Sequence, residues 1–167
     1  MKVLITDTNV FIDLIQIGAI AYFFQLRYEI CTTDLVVEEI KTPSQKALLD
    51  IFIENRFLKV VSLDATEIRA AYELKTGCNL KRITDKSVLL KAIHFGCIVL
   101  SGDADLRKEC IRNGLEVHGT IWVMREIWTA GLASELQLLE LLQKLAQNTR
   151  LPEKEIEKLA DEIAKFS

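Results

Sequence analysis

The sequence predicts an α/β architecture: a central parallel sheet of about five strands, with helices on both faces in a three-layer α/β/α arrangement. Short strand-like runs alternate with longer helix-like ones, the pattern of a parallel sheet wrapped by crossover helices. Two of the runs, Val3-Leu4-Ile5-Thr6 and Ile98-Val99-Leu100, are continuous apolar or β-branched stretches that stop at or just before an aspartate, Asp7 and Asp103. Such runs suit strands buried on both faces. Half of the 167 residues are apolar, enough for one substantial core.

In chain order, strands are expected at about 2–6, 28–32, 58–62, 97–101 and 116–118, and helices at about 10–25, 34–41, 44–55, 66–76, 84–95 and 104–113. Beyond Gly119 the character changes, because 121–130, 134–147 and 153–166 all read as helix with no further strand. The division that follows is an α/β domain over 1–120 and a helical extension over 121–167, packed on it or beside it. In the last helix Ile156, Leu159, Ala160, Ile163 and Ala164 form one apolar stripe at helical spacing. In the helix before it, Leu138, Leu141, Leu142, Leu145 and Ala146 are joined by Leu136 and Leu139, so the apolar surface extends around the axis. A helix of that kind is either sandwiched inside the fold or covers another chain.

Composition removes several function classes. The net charge of −3 argues against an overall basic coat for nucleic acid, although a local basic groove is compatible with it. Cys31, Cys78, Cys97 and Cys110 lack C-x-x-C spacing, and Cys31 and Cys97 sit inside apolar runs, so all four are read as reduced thiols of a cytoplasmic protein. The apolar run after Met1-Lys2 is too short for a signal peptide, and Val10–Leu26 is broken by Asp13 and Gln16, which argues against a membrane span. No G-x-S-x-G, Walker loop or G-x-G-x-x-G is present, and His94 and His118 fall in no zinc or nucleophile pattern.

What remains is a set of carboxylates at segment junctions. Each has an ordinary explanation: Asp7 and Asp103 can cap the helices that follow them, Asp34 can cap the helix bearing Glu38 and Glu39, and Asp85 is favourable to a helix dipole in a first turn. Together they suggest more. In a doubly wound sheet the first strand is central and a later strand lies against it, so Asp7 and Asp103 become neighbours at the carboxyl edge, where ligands bind. Right-handed crossovers bring the first turns of the helices bearing Glu39 and Asp85 towards the same crevice. Crowded carboxylates repel unless a proton or a cation intervenes, and oxygen ligands suit a hard divalent ion.

The segments Ile5-Thr6-Asp7-Thr8-Asn9-Val10, Leu35-Val36-Val37-Glu38-Glu39-Ile40, Ile83-Thr84-Asp85-Lys86-Ser87 and Val99-Leu100-Ser101-Gly102-Asp103-Ala104-Asp105 resemble, in order and spacing, the acidic motifs of PIN-domain nucleases. The resemblance covers about residues 1–120 and includes toxin ribonucleases of the VapC type. Beyond Gly119 the chain is similar instead to uncharacterised prokaryotic PIN proteins. The resemblance implies a ribonuclease dependent on Mg2+ or Mn2+, with RNA as substrate, an antitoxin protein as partner and a homodimeric state. It implies Asp7, Glu39, Asp85 and Asp103 as catalytic residues and metal ligands. Asn9 and Ser101 would support them, with Asp105 as a further acid, and Lys81, Arg82 and Lys86 would contact substrate phosphates. Two other functions compete: a silent PIN-like module that binds protein through its Leu-rich tail, and a Mg2+-dependent phosphohydrolase with an Asp nucleophile. Asn9 stands where the latter usually carries a second Asp.

Overall fold

The computed structural model describes residues 1–148 and 150–166. Its core is a five-stranded parallel sheet in the order β3-β2-β1-β4-β5, built from β1 (Lys2–Thr6), β2 (Tyr28–Thr33), β3 (Lys59–Val61), β4 (Ile98–Leu100) and β5 (Val117–His118). The first strand is central, as expected. Leu4 pairs with Ile30 on one side and Ile98 on the other, and Thr6 lies opposite Leu100. The chain builds outwards from β1 to β2 and β3, then returns to lay β4 and β5 on the opposite side. That reversal places a switch point between the carboxyl ends of β1 and β4.

The helices are α1 (Thr8–Ile17), α2 (Ile20–Phe23), α3 (Asp34–Glu39), α4 (Pro43–Glu54), α5 (Ala65–Glu73), α6 (Ile83–Phe95), α7 (Ala104–Arg112), α8 (Thr120–Thr129), α9 (Glu135–Leu145) and α10 (Glu153–Lys165). The single helix expected over 10–25 is two. Gly18 adopts φ +79° and its N–H closes on Ile15 O at 3.1 Å, a left-handed C-cap that glycine takes without strain. Phe11, Phe23 and Phe24 then pack together, with Phe24 stacked on Phe52 at 4.3 Å between centroids. A second correction concerns α3. Its cap is Thr33, whose hydroxyl accepts Val36 N–H at 3.3 Å, while Asp34 is already inside the first turn.

The Leu-rich helix is sandwiched. In α9, Leu138, Leu141, Leu142 and Leu145 are buried against α1, α8 and α10, leaving Leu136 exposed and Leu139 half-buried. Burial of each such side chain contributes about 1.5–3 kcal/mol. Ile156, Leu159 and Ile163 of α10 complete the layer. Two polar ties reinforce it: Arg125 of α8 donates to Glu162 of α10 at 2.6 Å, and Asp13 of α1 receives three donors from the C-terminal part of the chain. Among the described residues no helix is long and apolar enough to cross a membrane. The four cysteines are free thiols, with Cys31, Cys97 and Cys110 buried and Cys78 half-buried.

Candidate active site at the sheet switch point

Asp7 leaves β1 in extended conformation and caps α1, its Oδ1 accepting Val10 N–H at 3.2 Å. Its backbone N–H continues the sheet to Leu100 O at 3.0 Å, which fixes it beside the end of β4. There Ser101 donates its hydroxyl to Asp7 Oδ2 and accepts Asp103 N–H at 3.0 Å. Asp103 in turn caps α7 by accepting Leu106 N–H at 2.8 Å. The capping explanations for Asp7 and Asp103 are therefore both correct. They are also compatible with a site, since a cap occupies one carboxylate oxygen of each.

Asp85 lies in the first turn of α6 and is 7% exposed. No hydrogen bond reaches its carboxylate among the described residues. Burial, opposed by Arg82 and reinforced by the charges of Asp103 and Glu39, pushes its carboxyl up to about 6. Asp7 is also pushed up to about 6, chiefly by burial and further by Asp85 and Asp103, against the lowering effect of Ser101 and of the Val10 N–H. The three aspartates thus act on one another electrostatically, as the strand order requires.

Glu39 is held differently from the expectation. It sits at the C-terminal end of α3, not in a first turn, and points inwards while Glu38 is exposed. Thr8 donates to its Oε2 at 2.7 Å, Thr84 to its Oε1 at 2.8 Å, and Arg82 forms an ion pair with the same oxygen. Burial works against its charge, but these donors outweigh burial and hold the carboxyl below its ordinary value. Thr8 follows Asp7 and Thr84 precedes Asp85, so one glutamate braces two acidic motifs through their neighbouring hydroxyls. Neither threonine stands out by its own type. The repeated Thr-Asp and Asp-Thr adjacency was the available signal.

The remaining expected residues separate. Arg82 is committed to Glu39, whereas no hydrogen bond or ion pair engages the side chains of Lys81 or Lys86 among the described residues. Asn9 is half-buried in the first turn of α1, with no bond from its side chain to the acids among the described residues. Asp105 lies in the first turn of α7, its carboxylate 3.6 Å from Lys108 Nζ. The approach to Lys81 and Arg82 is anchored from α7 by buried Glu109, which accepts the successive N–H groups of Gly77 at 2.5 Å and Cys78 at 2.9 Å. That anchor had no motif to announce it.

A PIN domain family profile matches residues 3–165. The chain belongs to the PIN-domain family. Members of this family are generally nucleases, and the match runs through the C-terminal helices as well as the sheet. Two solved structures are similar. One is a PilT N-terminus domain protein from the hyperthermophilic archaeon Sulfolobus solfataricus P2, at 10% identity and TM-score 0.47, covering 76% of this chain and 93% of that one. The other is VapBC2 from Rickettsia felis bound to a DNA fragment from its promoter, at 16% identity and TM-score 0.48, covering 70% of this chain and 98% of that one. No curated protein matches the chain.

Among the described residues no group of three or more His, Cys, Asp or Glu side chains is gathered tightly enough to enclose a metal ion directly. The donor set still suits Mg2+, which retains several waters and is bound through one or two carboxylates. Asp85, buried and with no hydrogen-bond donor among the described residues, and Asp7, with a carboxyl raised into the same range, are acids that a cation would stabilise in their ionised form.

Proposed function

We propose that this PIN-domain protein is an endoribonuclease that hydrolyses RNA phosphodiester bonds with Mg2+ or Mn2+. The observation that carries the proposal is the pair of buried carboxyls, Asp7 and Asp85, both raised to about 6 beside Asp103 at the switch point of the sheet. Asp7, Asp85 and Asp103 would hold the cation. Glu39, already clasped by Arg82, Thr8 and Thr84, positions the motifs of Asp7 and Asp85 and is the fourth acid of the set. A bound divalent ion supplies polarisation of the phosphate and an acidified water. Ser101 orients Asp7, and Lys81 and Lys86 offer uncommitted positive charge for the phosphates.

The burial of the Leu-rich stripe of α9 favours catalysis over a protein-binding module that uses that stripe. Asn9 in place of a second aspartate favours hydrolysis by water over an aspartyl-phosphate route. We assign the chemistry to residues 1–120, with 121–167 as a supporting extension. We further propose an antitoxin protein and a second copy of the chain as partners and, from the four free thiols, a cytoplasmic location.

The test is degradation of single-stranded and hairpin RNA by the purified chain. Cleavage should require Mg2+ or Mn2+, cease with EDTA and return when the cation is restored. It should also rise as pH climbs through about 6, because Asp7 and Asp85 must ionise to attract a cation. Undiminished cleavage in EDTA would exclude this mechanism.

A further inference from the structure

One cleft lies outside the acidic site and joins it. Its volume is about 540 Å3, and it runs from Gly102, the neighbour of Asp103, past the carboxyl end of β5 to the C-terminal helix. Four cations line it, Arg107 from α7, Arg125 from α8, Arg150 from the segment before α10 and Lys158 from α10, against one carboxylate, Glu155. Arg125 and Arg150 are ion-paired with Glu162 and Asp13, so Arg107 and Lys158 are the cleft cations without an ion-paired carboxylate among the described residues. The floor carries an aromatic pair, with His118 stacked on Trp122 at 4.3 Å between centroids and 7° between planes.

The arginines are fixed in place. Arg107 Nη1 donates to Ser101 O at 3.0 Å, Arg125 to Glu162 at 2.6 Å and Arg150 to Asp13 at 2.8 Å. Each uses one nitrogen of a guanidinium that has five N–H donors, so further donors remain for an anion while rotamer freedom is already restricted.

We propose that this cleft is a binding track for one flank of a single-stranded RNA whose scissile phosphate lies at Asp7, Asp85 and Asp103, with the C-terminal helix forming its outer wall. The inference rests on the nuclease reading of that site. Neighbouring parallel strands lie about 4.8 Å apart, so the end of β5 is within about one nucleotide's reach of Asp103 at the end of β4. A groove of fixed cations for the backbone beside an aromatic surface for bases is the general design of a single-strand track. An acidic peptide would satisfy the cations but would not account for the aromatic floor or for continuity with a phosphodiester site.

The test measures binding in EDTA, so that it is independent of cleavage. Fluorescein-labelled RNAs of about 16 and about 4 nucleotides are titrated with the full chain and followed by anisotropy. Lys158→Glu should weaken binding of the longer RNA about tenfold and flatten its salt dependence, with little effect on the shorter. Lys154→Glu makes the same charge change on α10 at a position that does not line the cleft, and should stay within about twofold of the parent. Equal behaviour of the two variants on the long RNA overturns the track, as does preference for a poly-glutamate peptide over RNA, or absence of RNA binding by the parent chain. Lys158-sensitive binding without Mg2+-dependent cleavage would retain the track and remove the nuclease reading. Cleavage with no Lys158 effect would do the reverse.

Discussion

Replacing Asp7 with Asn should abolish RNA cleavage, by at least about 100-fold, while leaving the metal-free protein as stable as the parent or more so. Asn retains the size of the side chain and an oxygen to accept Val10 N–H, so the cap on α1 survives. The Ser101 hydroxyl can rotate to accept from the new amide. What disappears is a negative charge in a nearly water-free position, 3% exposed and facing Asp85 and Asp103. Activity should fall because that charge attracts the cation and helps to stabilise the phosphoryl transition state.

Stability moves the other way for the same reason. The carboxyl of Asp7 is raised from 3.8 to about 6, so the folded protein binds this proton more tightly than the unfolded chain does. Ionised Asp7 therefore costs stability, about 3 kcal/mol at most, fully present above about pH 6 and relieved as pH falls through 6 towards 4. In the parent, the thermal midpoint without metal should rise on going from pH 7.5 to 5, and in Asp7→Asn this rise should shrink. A variant that melts earlier yet cleaves at the parental rate would make Asp7 a cap and nothing more.

The largest loss of stability is expected at Asp13: burial raises its carboxyl too, so its ionisation is not itself a gain, but unlike Asp7 it holds three side-chain donors that truncation leaves without their acceptor. This α1 carboxylate is 4% exposed and accepts Thr120 Oγ1 at 3.0 Å, Asn148 Nδ2 at 2.7 Å and Arg150 Nη2 at 2.8 Å. Asp13→Ala leaves Thr120, itself 1% exposed, without that acceptor and cuts the polar tie from the first helix to the segment before α10. Arg150 is half exposed and recovers water, which limits its share. The expected cost is about 2–4 kcal/mol, or roughly 5–15 °C in thermal midpoint for a chain of this size. Cleavage of a short RNA at low temperature should change little, because the partners of Asp13 are Thr120, Asn148 and Arg150, none of which holds Asp7 or Asp85. Thermal denaturation followed by circular dichroism gives the answer, and an unchanged midpoint would show that apolar packing of α9 and α10 alone holds the extension.

The sequence by itself determined the two central strands β1 and β4, because they are written as short apolar or β-branched runs, and it located β2, β3 and β5 from their place in the alternation with helices. It also determined that Asp7 and Asp103 would be neighbours, since each ends such a run and the rules of parallel topology leave β1 central. The break in the first long helix was within reach of the same reasoning, because Gly18 is the natural left-handed cap, but the apolar residues on both sides obscured it. Tertiary structure alone decided what the polar side chains do. Glu39 is braced by Thr8, Thr84 and Arg82, partners 31 to 45 residues away. Asp13 is bound to residues 107 to 137 positions later. Apolar periodicity is a local property and survives in a one-dimensional pattern. A hydrogen bond between distant segments depends on where the fold brings two side chains, and no spacing in the sequence records it.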